Sequence, residues 1–562
     1  MTVSNYIVNY IVSLGVTDVF GIPGGVILDL IYEFDSNKKI NAHLSYHEQC
    51  AGFAACGYAQ ESGKLGVAYA TKGPGFTNLI TAMADSYYDS LPVIFITAHS
   101  SNVLPNGMRA MNDQEMDTCS ITKKITKYSA RIDDIEQLTE IFPKACQIAL
   151  TGRRGPVFLD IASNLFRKDI GGTIALDTPN SYLEESPNIA EYIMEILSES
   201  KRPVLLIGDG INQSNTVESF KKLLSIIQIP VISSRFSHDI VSSSPLYYGY
   251  IGSHGIRTAN FILSKADLII SLGNRMHFPV QSESFKDIFF RAKLFRVDID
   301  KSEFTRNIPN SRVCEIDLSD FFIEMNRLEH YSVSFNDWIH VCDEIKKEVW
   351  DIDNNLITSS ISNILSHLKL QHTVVADVGN NEFWVSQSCV NSKVKNRVLY
   401  SKSFGALGCA IGKAIGAYYA TKNKVICFVG DQGIQMNIQE LQFISQHRLP
   451  IKIIILNNSS SGMIKDREEL LYGRCLHTTY ESGFSNPKYQ DIAKAYDMEY
   501  FLYERLSDAE LEDIIAKKDI PCIIELKYDK DVKLYPSLPK GNKCQELMPP
   551  LPINLHDYLN KL

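Results

Sequence analysis

The chain has 562 residues, 45% of them hydrophobic and 22% charged, with a formal net charge of −9 and a pI near 5.9. That length exceeds one ordinary core, so several domains are expected, and the acidic balance excludes the electrostatic footprint of a nucleic-acid or anionic-membrane binder. No run of about 18 apolar residues offers a membrane span, and the 12 cysteines are scattered without a CxxC pair, which excludes a disulfide framework or zinc site of the usual spacing.

The opening stretch, MTVSNYIVNYIVSLGV, lacks a basic segment and an unbroken apolar core. No signal peptide is expected, and a reducing cytoplasm is the inferred compartment. The next informative segment is SYHEQCAGFAACGYA, residues 45–59. Glu48 opens a run of Ala, Gly, Cys and aromatic residues suited to close burial, with Ala51, Ala54, Ala55 and Ala59 at helical spacing. Burying a carboxylate is costly and raises its pKa, so an acid here demands a reason.

Strand-like β-branched runs then alternate with helical stretches: LGVAYAT, LPVIFITA and GPVFLDIA, then RPVLLIGDG and ADLIISLG, then TVVADVG, KVICFVGD, IKIIILNN and PCIIELKY. Short apolar strands ending in Gly, Asp or Asn suggest buried parallel sheets covered by helices, with ligands outside the strands' carboxyl ends. A polar, Gly- and Pro-containing stretch at 164–188 and another polar run at 327–355 divide the chain. The expected fold class is therefore α/β, with three doubly wound parallel-sheet domains at 1–165, 186–335 and 350–562. The Pro-punctuated tail, KLYPSLPKGNKCQELMPPLPINL, is expected to wrap over a surface.

In the last block, GDQGIQMNIQELQFISQHRLPIKIIILNNSSSGM runs from Gly430 to Met463. Asp431 and Asn458 stand 27 residues apart, about one βαβ unit, so adjacent strands would bring a carboxylate and a carboxamide oxygen to one sheet edge. Both are hard ligands suited to Mg²⁺, which shares its shell with phosphates. Gly430 and Gly433 would let backbone approach a phosphate. Taken alone, the same residues read more readily as a turn after a strand.

Over almost its whole length the sequence resembles the thiamine-diphosphate-dependent enzymes of the acetolactate synthase type. The resemblance implies a pyrimidine-binding domain, a central Rossmann-like domain and a diphosphate-binding domain, in that order. It makes Asp431, Asn458 and the Ser460 carbonyl the Mg²⁺ ligands, although Gln432 stands where the family usually has Gly. DVGNNEF resembles the diphosphate loop, so Asn380 and Asn381 become phosphate contacts, and Gly430, Gly433 and Met463 belong to the same site. SFGALGCAIGKAIGA resembles the segment beneath the aminopyrimidine, with the Gly405 carbonyl accepting from its amino group and Leu407 as the wedge that bends the cofactor. Glu48 becomes the acid that exchanges a proton with pyrimidine N1′. GIPGGVIL places Gly24 and Gly25 before the thiazolium. TKGPGFTNLITAMADSYYDSLP follows the family closely and is read as a turn and packing helix. The implied chemistry is decarboxylation of a 2-oxo acid, with the cofactor as electron sink.

The branch of the family is read from smaller signs. AMNDQEMD, at 110–117, lacks the adjacent histidines of simple decarboxylases; Gln114 and Glu115 match the acetolactate synthases, and Gln114 would orient the intermediate or acceptor. Carboligation to a carbonyl acceptor is therefore expected, with pyruvate as donor; the alternatives are a simple decarboxylase or oxidase, or a non-catalytic relic. Ser163, Arg467 and Pro279 depart from the family around the acceptor pocket, which suggests a larger or anionic acceptor, such as a keto sugar. The middle block resembles a flavin domain, implying FAD at Gly252, His254, Arg275 and Asp298. A homodimer or homotetramer with active sites between subunits is also implied.

Overall fold

The computed structural model describes residues 1–100, 113–171, 189–277, 282–305, 308–328 and 330–562. It contains three six-stranded sheets, and every pairing within them is parallel. The first comprises β1 (Asp18–Gly21), β2 (Asn41–Leu44), β3 (Gly66–Tyr69), β4 (Val93–His99), β5 (Tyr128–Ile132) and β6 (Val157–Ala162), in the order β2-β1-β3-β4-β6-β5. The second comprises β7 (Pro203–Ile207), β9 (Val231–Ser233), β10 (Tyr247–Tyr250), β11 (Leu268–Leu272), β12 (Lys293–Asp298) and β13 (Ser311–Glu315). Its order, β10-β9-β7-β11-β12-β13, is the dinucleotide-fold order 3-2-1-4-5-6. Outside it, β8 (Ile227–Gln228) pairs with β14 (Val333–Ser334).

The third sheet comprises β15 (Thr373–Ala376), β16 (Val398–Leu399), β17 (Val425–Gly430), β18 (Ile451–Asn457), β19 (Glu499–Leu502) and β20 (Cys522–Lys527). Its order, β16-β15-β17-β18-β20-β19, repeats that of the first sheet strand for strand. The α/β class and the three parallel sheets are as the apolar strand runs indicated. β4, β6 and β18 are buried along their full length, which explains why they read as continuous apolar runs rather than alternating ones.

By contacts the chain forms two compact units. One joins Met1–Asn180 to Leu368–Glu382 and Arg397–Lys530, and so holds the first and third sheets; the other joins Ser181–His367, Phe383–Asn396 and Asp531–Leu562 around the second sheet. The expected third block therefore loses both its first residues and its tail to the middle sheet. The reason lies in Arg257, which is buried, pairs with Asp353, and donates to the carbonyls of Leu547 and Pro549. A guanidinium fork satisfies several acceptors at once, and those it finds come from both the tail and the start of the expected third block.

Topologically equivalent helices of the first and third sheets, Glu48–Ser62 and Cys409–Thr421, pack on each other within the chain. The small-residue face of Glu48–Ser62 is used in this contact. A Cβ on Gly416 would lie 1.9 Å from the Ala54 carbonyl oxygen, and one on Gly57 2.2 Å from that of Lys413. Only glycine allows this approach.

Candidate active site

Glu48 is the first residue of its helix, where the acidic side chain meets the positive end of the helix dipole. It is half-buried rather than buried, and its Oε2 accepts from Asn78 Nδ2 at 2.9 Å. The packing-helix reading of Pro74–Asp89 thus missed a contact, because Asn78 on that helix orients the carboxylate. A Cβ on Gly75 would lie 3.4 Å from Glu48 Oε1, and one on Gly24 would lie 2.4 Å from Thr71 Cβ. Gly25 faces open space. Gln114 is exposed at φ 62°, and a Cβ on Gly73 would lie 2.6 Å from its Cβ. Beside it, Glu115 accepts from the N–H and hydroxyl of Ser100. The carboxyl end of the first sheet therefore gathers Gly24, Glu48, Asn78 and Gln114. Residues 110–112 and Pro279 lie outside the described residues.

The third sheet's carboxyl end gathers the second group. β17 and β18 pair with Gly430 opposite Leu456, which brings Asp431 and the Asn457–Asn458 turn to one edge. Asp431 accepts from Gln432 N at 2.9 Å and Asn486 Nδ2 at 2.7 Å, and the N–H groups of Ser459 and Ser460 also reach its carboxylate. Burial pushes its pKa up to about 6 against those hydrogen bonds. Gln432 sits at φ −80°, ψ −41°, an ordinary conformation, so this turn has no need of glycine there. Gly433 lies over Asp377, its absent Cβ 3.1 Å from Asp377 Oδ2.

Asn458 and Asn380 converge. Their Nδ2 atoms lie 2.9 and 3.1 Å from the position a Cβ on Gly462 would take. Asn381 differs, because both bonds of its Nδ2 go to the carbonyls of Asp377 and Phe428. A phosphate contact there falls to backbone N–H, at the start of the helix Asn380–Asn391. Asp377 is buried, accepts from Val378 N and Gly408 N through one oxygen, and is pushed up to about 6 by burial. Gly405 and Gly408 take φ of 69° and 82°, conformations that suit glycine. Leu407 and Met463 are partly exposed, at 36% and 37%.

The two groups meet at the foot of the Glu48 helix. Glu440, fully buried, accepts from the N–H groups of Tyr46 and His47 at 2.9 Å each, and burial pushes it up to about 7. Asn437 Nδ2 bonds the Gly408 carbonyl at 2.9 Å and Gln49 Oε1 at 3.4 Å. Sequence reasoning named neither residue, although both lie in the quoted Gly430–Met463 run.

Asp431, Asn458 and Ser460 offer a carboxylate, a carboxamide oxygen and a carbonyl, a donor set that fits Mg²⁺. Among the described residues no three His, Cys, Asp or Glu side chains gather for a metal. The Ser460 hydroxyl is buried without a partner, and Gly430, Gly379 and Gly405 have no atom within 4 Å of an added Cβ. Those open glycines leave room for a cofactor between the strand ends. Ser163 and the exposed Arg467 stand on β6's end and the helix Gly462–Tyr472; among the described residues no contact joins them.

The second sheet is where the resemblance places FAD. At its switch point, a Cβ on Gly208 would lie 2.2 Å from the Gly273 carbonyl oxygen, and Gly210 N donates to that oxygen at 3.1 Å. Strands β7 and β11 pair in register up to Ile207 opposite Leu272, so the approach of Gly208 to Gly273 continues that ladder. His254 bonds the Pro536 carbonyl and packs on Phe383, and Arg275 pairs with Glu303. Asp298 accepts from Asp300 N, and Gly252 stands open at φ 145°. Three of the residues implied for the flavin, His254, Arg275 and Asp298, are thus engaged by other groups of the protein.

Comparisons with known proteins define the class. The chain matches the family models "Thiamine pyrophosphate enzyme, N-terminal TPP binding domain" over residues 1–121, "central domain" over 190–321 and "C-terminal TPP binding domain" over 377–526. It is 32% identical to the acetolactate synthase large subunit of Lactococcus lactis subsp. lactis (strain IL1403), covering 97% of this chain and 96% of the relative. It is 30% identical to acetolactate synthase isozyme 1 large subunit of Escherichia coli (strain K12), covering 97% of each. With acetolactate synthase 1, chloroplastic, of Zea mays it shares 30% over 95% of this chain and 86% of the relative. The chain belongs to the thiamine-diphosphate-dependent enzymes of the acetolactate synthase large-subunit type. No helix among the described residues is long and apolar enough to cross a membrane.

Proposed function

We propose that this enzyme decarboxylates a 2-oxo acid, pyruvate first among them, and joins the two-carbon unit to a carbonyl acceptor. The observation that carries the reading is the convergence of Asp431, Asn458 and Ser460 at one sheet edge, in a chain alignable end to end with acetolactate synthases. Asp431, the Asn458 oxygen and the Ser460 carbonyl would hold Mg²⁺, and the amides at Asn380 and Asn458 would face the diphosphate. Glu48, oriented by Asn78, would hold and move the proton at pyrimidine N1′. Thiamine diphosphate, when bound, supplies the nucleophile and the electron sink for loss of CO₂. Gly25 keeps the approach to it open beside Gly24, which packs on Thr71, and Leu407 presents a partly exposed apolar wedge.

Gln114, beside the Gly73 turn, supports ligation over simple release of an aldehyde. Exposed Arg467 supports a larger or anionic acceptor, since a guanidinium pairs bidentately with carboxylate or phosphate. Association into a homodimer or homotetramer is supported by exposed apolar side chains near the loops, including Leu44, Tyr46 and Tyr88.

The test is paired measurement of CO₂ release and ligated product, from pyruvate alone and with candidate acceptors. Arg467→Ala should lower ligation about tenfold or more, the cost of a lost charged hydrogen bond, and spare decarboxylation. Release of free aldehyde as the sole product would overturn the ligation reading. Equal loss in both activities, or in neither, would remove Arg467 from the acceptor site.

A further inference from the structure

The segment Ser401–Gly408 carries Gly405 and Leu407, yet it belongs to no strand. A buried cluster of charges holds it instead. Lys413, on the Cys409–Thr421 helix, pairs with Asp85 at 2.9 Å and lies 3.9 Å from Asp89; all three are buried. Both aspartates stand on the helix Pro74–Asp89, which also supplies Asn78 to Glu48.

Each member of the cluster grips the segment or the residue just before it. Lys413 Nζ donates to the Tyr400 carbonyl at 2.7 Å. Asp89 accepts from the N–H groups of Lys402 and Ser403 at 2.7 and 2.8 Å. The Ser401 hydroxyl donates to Asp85 and accepts from Ala406 N at 2.9 Å. Farther on, Phe404 stacks on Tyr88, and Gly408 N is held by Asp377. These anchors bracket Gly405 and Leu407 on both sides.

Two carboxylates and one ammonium leave an excess negative charge in the interior. Burial and the neighbouring Asp85 push Asp89 up to about 6. The groups that offset this charge are the segment's own N–H and hydroxyl donors, so the cluster and the segment specify each other's geometry. For stability alone, apolar residues of similar volume would often serve as well. A buried ionic cluster makes sense where one conformation must be selected.

We propose that Asp85, Asp89 and Lys413 are positioning residues for the pyrimidine end of thiamine diphosphate, acting through the segment that presents Gly405 and Leu407. This rests on the cofactor reading above. The diphosphate end would be held from Asp431 and Asn458, on other segments of the chain, and the difference makes the proposal testable.

Asp89→Asn keeps the shape and the Lys413–Asp85 pair but turns one acceptor into a donor facing an N–H. Ser401→Ala cuts the bridge from Asp85 to Ala406 and leaves every charge in place, so it remains decisive if Asp89→Asn fails to fold. Calorimetric titration with Mg²⁺ should show thiamine diphosphate binding about tenfold more weakly to either variant. Inorganic diphosphate should bind as to the wild type, with the unfolding midpoint little moved. The near-ultraviolet circular dichroism of the bound cofactor should change. Unchanged affinity for thiamine diphosphate, or parallel losses for both ligands, would overturn the positioning role. Wild-type protein without affinity for thiamine diphosphate would instead overturn the cofactor reading, and this inference with it.

Discussion

At the scale of single residues, two glutamates divide the work suggested by one. Glu48 is half-buried and hydrogen-bonded to Asn78, whereas Glu440 is the fully buried acid, its charge met by two N–H groups. Glu48→Gln should leave thiamine diphosphate binding intact and abolish most turnover, because the amide keeps the shape but cannot exchange the proton. Near-normal CO₂ release by that variant would remove Glu48 from the mechanism. Glu440 gives a pH prediction. Its pKa is raised from 4.5 to about 7 in the folded protein, so its contribution to stability is full below pH 4.5 and lost as pH rises toward 7. Glu440→Gln removes that titration. The variant's unfolding midpoint should rise relative to wild type across this window, by on the order of 1–3 kcal/mol in stability. A pH-independent difference would show that the acid does not titrate there.

At the scale of elements, the decisive contact is helix on helix. Ala normally stabilises a helix by about 1 kcal/mol over Gly. At Gly416, however, the new methyl would meet the Ala54 carbonyl oxygen at 1.9 Å and Tyr58 N at 2.6 Å, both backbone atoms that cannot rotate away. Overpacking of this kind costs about 1–3 kcal/mol, so it outweighs propensity. Gly416→Ala should therefore lower the thermal midpoint; an increase would mean that the two helices separate more easily than their packing suggests. The second sheet uses glycine in the same way, with Gly208 and Gly210 packed against the backbone of Gly273.

For the whole molecule, these observations combine into one ligand-dependent measurement. Thiamine diphosphate with Mg²⁺, at a hundred times its Kd, should stabilise the fold by about 2.7 kcal/mol. FAD is checked in the same way, by its shift of the unfolding midpoint and by the flavin absorbance of the purified protein. Asp431→Ala should lose most of the thiamine diphosphate shift and regain part of it at high Mg²⁺. A stoichiometric flavin would assign the second sheet's carboxyl end to FAD, and an undiminished shift in Asp431→Ala would reduce the Asp–Asn pair to a turn.

The sequence by itself determined the local chemistry. Fully buried parallel strands must be apolar throughout, and the residues that follow them must be small or polar, so the strand runs, Asp431, Asn458 and the glycines were all legible in order along the chain. Glu48 was legible as an acid in an unlikely place, though not the degree of its burial. What only the tertiary structure decided was which elements meet. The first and third sheets share one strand order, and the helix that follows the second strand of each packs on the other, a relation with no local signature because the two segments lie more than 300 residues apart. That packing brings Glu440 to the foot of the Glu48 helix and Lys413 to Asp85 and Asp89. Hydrogen bonds and ion pairs of such long sequence separation depend on the fold that closes the loop between them, and no periodicity or spacing in the chain can encode them.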